Sequence, residues 1–282
     1  MAETLAAQDR AQPASQGNDA VIVFDHVSLA FDEKVILKDV SFTVKRGRTK
    51  IIIGASGAGK SVTLKILLGL LKPDAGGVWV NGRQVDRLPE VDMMQVRADL
   101  GMVFQEGALF DSLTVRENVG YKLYEEFRLP IPEVDVRVKE VLGFVGLDEF
   151  IDRMPSALSG GQRRRVAIAR AMAAKPKILL YDEATTGLDP ITATTVDDEM
   201  IKLRDFEGVT SIIVTHQLRD AFWVAQHAAK RGPKGEVQIV PADVQKERDT
   251  EFMMIRDGLV LFEGDARELQ ASQDPYIREF LS

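Results

Sequence analysis

The eight residues Gly54-Ala55-Ser56-Gly57-Ala58-Gly59-Lys60-Ser61 constrain this chain more than any other stretch. They fit G-x-x-x-x-G-K-[ST] between the apolar run Ile51-Ile52-Ile53 and a helix-like segment from Ser61 to Leu71. A short, wholly apolar run bounded by turn signals is the pattern of a strand buried on both faces of a parallel sheet. Strand, glycine-rich loop and helix in that order aim backbone N–H groups at a helix N-terminus, where they can curl around phosphates. Lys60 would then neutralise β/γ charge, the Ser61 hydroxyl would hold Mg²⁺, and Val62 would follow in the first helical turn. The expected cofactors are ATP and Mg²⁺, cradled by residues Gly54 to Val62. An ordinary Gly-rich turn is the alternative, but it does not require a strand before and a helix after.

A site for one polyphosphate is compatible with the rest of the composition. The chain has 282 residues, 45% of them hydrophobic, enough for one large α/β domain with an inserted subdomain. Its net charge of -7 argues against nucleic acid as a partner, because that affinity comes largely from Lys and Arg neutralising backbone phosphates. With no cysteine, thiolate metal sites and disulfides are excluded. Residues 1–20 mix Ala, Gln, Asp and Glu without an apolar core, and read as a disordered N-terminal tail rather than a signal or transit peptide. No stretch approaches the roughly 18 apolar residues of a membrane span, and the best, Ile66 to Leu71, is interrupted by Gly69.

Along the chain, alternation from Val21 to Val44 predicts strands, and Val78-Trp79-Val80 followed by Asn81-Gly82 predicts a hairpin edge. Helical spacing at Val134, Val138, Val141, Leu142 and Val145 predicts a helical subdomain, placed at about 106–163. Two more buried-type strands, Ile178 to Tyr181 and Ser211 to Val214, return the chain to a parallel α/β core. Phe252 to Ile255 and Leu259 to Phe262 flank Asp257-Gly258, a hairpin signal. The segment Lys230 to Glu251 reads as an insertion: a flexible basic start, one short strand at Val237 to Val240 and a charged end, hence a solvated surface loop. The sharper alternative is a contact with a neighbouring subunit or an anionic membrane surface.

Two further motifs carry chemistry. The strand Ile178 to Tyr181 ends in Asp182-Glu183; the first acid could hold Mg²⁺ and the second could orient or deprotonate a water. Adjacent acids after a strand are also what a solvated loop presents, but after a phosphate-binding loop the catalytic reading gains weight. Leu158-Ser159-Gly160-Gly161-Gln162 opens a helical run from Arg163 to Ala174, so it is either a second anion-binding helix N-terminus or a simple N-cap with flexible entry.

Taken together, the phosphate loop, the later Leu158-Ser159-Gly160-Gly161-Gln162 and, shortly after it, Ile178 to Glu183 resemble the ATPase domain of ABC transporters over residues 21 to 230. The resemblance implies a P-loop NTPase of ABC type: a RecA-like parallel sheet core, an N-terminal antiparallel β subdomain and an inserted α-helical subdomain. The ATPase domain would span 21–268, with a helical tail at 269–282. It implies that Phe31 stacks on adenine, although a core aromatic is the alternative, and that Gln105 touches Mg²⁺ and the attacking water. Ser159, Gly160 and Gly161, with Gln162, would contact the γ-phosphate held by a second subunit, and Asp189 would lie in the loop crossing that dimer. Glu183 would be the catalytic base, and His216 a γ-phosphate switch rather than a structural strand-end histidine. Two positions depart from the family pattern: Ala184 stands where proline is usual, and Gln217 where Asp is usual. Neither removes a catalytic group, but both bear on local loop geometry.

A signature meant for another chain's nucleotide implies a homodimer with two sandwiched ATP sites. Within the family, the stretch Phe104 to Val119, which contains Gly107-Ala108-Leu109-Phe110 and Ser112-Leu113-Thr114-Val115, resembles ATPases that serve mammalian-cell-entry (MCE) lipid transporters of the Mla type. The segments Thr185 to Ile191 and Asp274 to Leu281 are similar to the same group. The implied partners are an integral-membrane permease and an MCE-domain lipid-binding protein, with the chain peripheral on the cytoplasmic face of the inner membrane. A polar amino-acid importer and a non-transport ATPase, such as a cell-division regulator, stay open as alternatives. So does the possibility that Leu109, Phe110 and Leu113 are only subdomain core.

Overall fold

The computed structural model describes residues 19–282; the expected N-terminal tail falls almost wholly outside them, and the first strand already begins at Ala20. Strands β1 (Ala20–Phe31), β2 (Lys34–Lys45), β4 (Ala75–Val80) and β5 (Arg83–Gln84) form an antiparallel sheet in the order β2-β1-β4-β5. The main sheet is built from β3 (Thr49–Ile53), β6 (Leu100–Val103), β7 (Ile178–Asp182), β8 (Thr210–Val214), β11 (Thr250–Arg256) and β12 (Leu259–Gly264). Its order is β12-β11-β3-β8-β7-β6, parallel except for the antiparallel edge pair β11–β12. The α/β class with a parallel core expected from the apolar runs is therefore present.

Side chains alternate across each strand, so every central strand feeds two cores. Ile52, Leu180, Ile212 and Val214 point to the face covered by the antiparallel sheet and by helix α1 (Lys60–Leu67), where Leu64, Ile66 and Leu67 are buried. Ile51, Ile53, Leu179 and Ile213 point to the other face, packed against α3 (Val115–Glu125), α4 (Ile131–Phe144), α5 (Gly160–Ala173), α6 (Pro190–Phe206) and α7 (Leu218–Gln226). Val134, Val138, Val141, Leu142 and Val145 all lie in this second core, which is the reason for their helical spacing. Between the sheets run α2 (Glu90–Ala98) and then β6, and the chain closes with α9 (Ala266–Ala271) and α10 (Pro275–Leu281).

Three boundaries differ from expectation. Helix α1 stops at Leu67, not Leu71, because Gly69 adopts φ +68 and the chain turns back: Gly69 N–H donates to Ile66 O and Leu70 N–H to Lys65 O. This is the bond pair of a Schellman C-cap, which needs a residue that tolerates the left-handed region. Helix α5 begins at Gly160 rather than Arg163, because Ser159 and Gln162 form a capping box. The segment Lys230 to Glu251 is largely exposed, as expected, but it is not a loop. A hairpin of β9 (His227–Arg231) and β10 (Val237–Pro241) and the short helix α8 (Val244–Glu247) occupy it, and Thr250 and Glu251 already pair with β3.

Candidate active site

Neighbouring parallel strands end on one edge of the main sheet, so topology alone gathers the groups that follow them. Gly54 follows β3, His216 follows β8, Asp182 and Glu183 close β7, and Gln105 follows β6. In open α/β sheets this carboxyl edge is where ligands bind.

The loop after β3 uses glycine where nothing else fits. Gly59 has φ +101, and a Cβ on it would lie 2.9 Å from Leu37 Cδ2 and 3.0 Å from Ile36 O. Gly57, at φ +82, has nothing within 4 Å of a Cβ and so turns its open side outward. Gly59 caps α1 without any side-chain hydrogen bond, and the first turn of α1 has no acid, which leaves its N–H groups and positive dipole end for an anion. Lys60 Nζ is buried and donates to Gly54 O at 2.9 Å and Ala55 O at 3.1 Å, and it lies 3.6 Å from Glu183 Oε1.

Ser61 Oγ donates to Asp182 Oδ1 at 2.6 Å. Burial raises the Asp182 carboxyl above its ordinary value and the neighbouring Glu183 adds to this, while the Ser61 hydrogen bond and the Lys65 and Lys60 charges oppose it. A half-buried carboxylate hydrogen-bonded to a hydroxyl is a donor set that fits a hard divalent cation such as Mg²⁺.

Glu183 sits in the left-handed region at φ +50, a costly place for a non-glycine residue, and several bonds fix it there. Its N–H donates to Val214 O at 2.9 Å, and Thr186 N–H donates to its carbonyl at 3.1 Å. Its Oε2 accepts from Thr186 Oγ1 at 2.8 Å and lies 2.7 Å from His216 Nδ1. His216 thus belongs to the carboxylate cluster, half-exposed above it. Ala184, where proline is usual, does not leave the loop free. Its carbonyl accepts from Arg164 Nε at 3.0 Å, and Thr186 O accepts from Arg164 Nη2 at 3.3 Å. Gln217 reaches Thr186 Oγ1 at 3.5 Å, the outer limit of a hydrogen bond.

Gln105 is exposed in the turn after β6. The loop beyond it is pinned from two sides: Arg170 of α5 donates to Gly107 O and Ala108 O, both at 2.7 Å, and buried Asn118 of α3 donates to Phe110 O, Leu113 O and Thr114 O. Phe110 is therefore held out, 43% exposed, with its ring 4.6 Å from that of Tyr121, while Leu109 packs against the core. Arg164, Arg170 and Asn118 were not singled out in the sequence; the arginines meet backbone carbonyls 20 to 63 residues away, and Asn118 meets carbonyls 4 to 8 residues before it. Phe31 ends β1 opposite Lys34 and is 45% exposed, so it is not the core aromatic of the alternative reading.

The remaining residues form a separate group. Ser159 Oγ accepts from Gln162 N–H at 3.2 Å, and Gln162 Oε1 accepts from Ser159 N–H at 2.8 Å. A Cβ on Gly161 would run into Thr192 Cγ2, and one on Gly160 would lie 3.3 Å from Leu188 Cδ2, so α5 and α6 approach closely here. Asp189 caps α6, accepting from Ile191 N–H and Thr192 N–H at 3.1 Å each, and its bonds to Thr192 hold its carboxyl below the ordinary value. Among the described residues, no hydrogen bond or ion pair joins Ser159, Gln162 or Asp189 to Lys60, Ser61, Asp182 or Glu183.

A phosphate-binding loop and a carboxylate pair at the carboxyl edge of a parallel sheet define a nucleotide-hydrolysing ATPase. The family model described as ABC transporter matches residues 37–186, just over half of the 282-residue chain, and the chain belongs to this family of ATP-hydrolysing subunits. It is 35% identical over 280 residues to the chloroplastic protein TRIGALACTOSYLDIACYLGLYCEROL 3 of Arabidopsis thaliana, covering 93% of this chain and 74% of that protein. It is 33% identical over 255 residues to the intermembrane phospholipid transport system ATP-binding protein MlaF of Escherichia coli, covering 90% and 86%. It is 40% identical over 220 residues to the methionine import ATP-binding protein MetN of Bifidobacterium longum, but spans only 54% of that protein. Among solved structures, cbiO1 of Clostridium perfringens, part of a cbiONQ transporter complex, matches with a TM-score of 0.74 at 26% identity, covering 93% and 94%. A bacterial ABC transporter cassette solved as a dimer matches at 0.71 and 30%, covering 86% and 98%.

Proposed function

We propose that this chain is the ATPase of a lipid transporter, one of two copies that drive a membrane permease working with an MCE-type lipid-binding protein, with phospholipid as the cargo class. The observation that carries the lipid reading is the loop from Gln105 to Thr114: its sequence resembles that of Mla-type ATPases, and Asn118 and Arg170 hold it so that Phe110 faces outward. The similarity to MlaF over most of both chains supports it. Among the described residues no helix is long and apolar enough to cross a membrane, which fits a peripheral subunit on the cytoplasmic face of the inner membrane. The methionine-import reading rests on the higher identity to MetN, but over a smaller share of each chain.

In the proposed mechanism, Gly54 to Val62 bind the polyphosphate through backbone N–H groups, and Lys60 leaves the carbonyls of Gly54 and Ala55 for β/γ oxygens. Ser61, Asp182 and Gln105 would hold Mg²⁺, which would supply charge neutralisation at the γ-phosphoryl group. Glu183 takes the proton of the attacking water, in a position fixed by Thr186. His216, released from Glu183 Oε2, turns toward the γ-phosphate. Phe31 offers its exposed ring to adenine. Ser159, Gly160, Gly161 and Gln162, together with Asp189, act across a homodimer interface on the partner copy's nucleotide, which accounts for their separation from this chain's own carboxylates.

Co-expression with a permease and an MCE protein, followed by purification and a fluorescent-phospholipid transfer assay, tests the cargo. The lipid reading expects a complex whose lipid transfer requires ATP. A complex that instead forms with a methionine permease and moves methionine would replace it.

A further inference from the structure

Beside the phosphate loop lies a cavity of about 480 Å³ whose wall is not made by the phosphate-binding motif alone. Ala55 to Ala58 form one side, Lys34 and Lys38 of the second strand another, and Arg256, Asp257 and Tyr276 close the outside. Three cations and one carboxylate thus face this space in a chain whose net charge is -7, a local reversal of sign next to a helix N-terminus. The turn bearing Arg256 is seated on β2: Lys38 N–H donates to Gly258 O at 2.7 Å.

Arg256 is not a loose surface side chain. Its guanidinium carbon lies 3.9 Å from the ring centroid of Tyr276, well inside cation–π range, and its Nε is 3.4 Å from Asp257 Oδ2. Tyr276 is fixed in turn: Asp274 accepts from its N–H at 2.8 Å to start α10, and the next residue, Ile277, is buried in the main core. The carboxy-terminal helix, 216 positions beyond Lys60 in the chain, therefore supplies one wall of the nucleotide cavity.

We propose that Arg256 binds the polyphosphate of the nucleoside triphosphate from outside the phosphate loop, and that Tyr276 is its positioning residue. The inference rests on the nucleotide reading of Gly54 to Ser61. A guanidinium held 3.9 Å from the centroid of an aromatic ring gives up less freedom on meeting an anion than Lys34 and Lys38, which are equally exposed and have no such contact among the described residues. The arrangement ties nucleotide occupancy to the seating of α10, since loss of Tyr276 removes the ring that restrains the exposed Arg256 guanidinium.

Equilibrium binding of ATP and AMP to the full chain, measured by calorimetry at two salt concentrations, tests this. Arg256→Gln should weaken ATP about tenfold, as for a lost charge-assisted hydrogen bond, while AMP stays within about twofold. The salt dependence of ATP binding should fall with it. Tyr276→Ala should lose ATP affinity in the same direction, and Tyr276→Phe, which keeps the ring, should restore it. Arg256→Lys provides a folded control that retains charge without the guanidinium fork, and it should fall between wild type and Arg256→Gln. Wild-type ATP affinity in Arg256→Gln, equal losses for ATP and AMP, or Tyr276→Phe as weak as Tyr276→Ala would each overturn the proposal. Lys60→Ala in parallel separates the two readings: if it too binds ATP normally, the phosphate loop reading fails as well.

Discussion

Asp197 of α6 and Asp220 of α7 are buried together behind the loop that carries Glu183, and the Oδ2 of each lacks a hydrogen-bond partner. Both line a cavity of about 10 Å³ with Ala184, Thr185 and Thr215, so the pair sits against the turns after β7 and β8. Arg219 engages the other oxygen of Asp220 at 2.8 Å, and Asp198 lies beside Asp197 in sequence. Burial, with the Asp220 charge adding to it, pushes the Asp197 carboxyl from 3.8 up to about 8. The folded state therefore holds a proton that the unfolded chain has lost. The contribution of this carboxyl to stability should be full below about pH 4, fall as pH rises through the window from about 4 to 8, and level off above it. At about 1.4 kcal/mol per unit, that span sets a ceiling near 6 kcal/mol, which relaxation around the pair reduces. Asp197→Asn keeps the shape and removes the titration. Recovery of even a third of the ceiling, about 2 kcal/mol, would raise Tm at pH 9 by about 4 to 8 °C, with no gain at pH 4. Calorimetric melts of both proteins across that range measure the difference. An equal change in Tm at both pH values, or none at pH 9, would refute the reasoning.

Other substitutions probe the remaining parts. Lys60→Ala removes the buried charge of the phosphate cradle and should weaken ATP binding by about tenfold or more, read with a fluorescent ATP analogue; unchanged affinity would remove Lys60 from the cradle. Phe110→Asp should leave soluble, ATP-binding protein that no longer co-purifies with the permease, because Phe110 is exposed and held out by Asn118; an insoluble product would make it a core residue. Gly161→Ala puts a methyl group into Thr192 and should cost about 1 to 3 kcal/mol in denaturant unfolding, with wild-type stability contradicting the close α5–α6 contact.

The strand, loop and helix around Lys60 were legible because each part needs a distinctive residue type: apolar residues on both faces of the strand, and glycines where φ is positive or backbones touch. Strand β6 was not, since Leu100-Gly101-Met102-Val103 is short and contains a glycine. That glycine is there because a Cβ would lie 2.6 Å from Leu179 Cδ2 of the adjoining strand. One strand of the β9–β10 hairpin was visible at Val237 to Val240, but its partner His227–Arg231 follows directly on α7 with no turn residue to mark the change. Arg164, Arg170 and Asn118 escaped notice for a different reason. Nothing in a lone Arg or Asn shows that it will meet carbonyls 20, 62 or 8 residues away. Tyr276 lay within a stretch recognised only as family-like, and its place in the cavity beside the phosphate loop follows from how α10 docks.

The proposed mechanism depends most on Glu183 activating water for ATP hydrolysis while Lys60 and the phosphate loop hold the nucleotide. Glu183→Gln keeps the side chain's length and its capacity to accept hydrogen bonds, but it cannot act as a carboxylate base. Single-turnover hydrolysis and equilibrium ATP binding by the purified mutant complex, measured on the same preparation, test it directly. The account predicts ATP affinity near that of wild type, hydrolysis slower by about 10²-fold or more, and accumulation of an ATP-bound dimer. Hydrolysis near the wild-type rate, or loss of ATP binding itself, would contradict it.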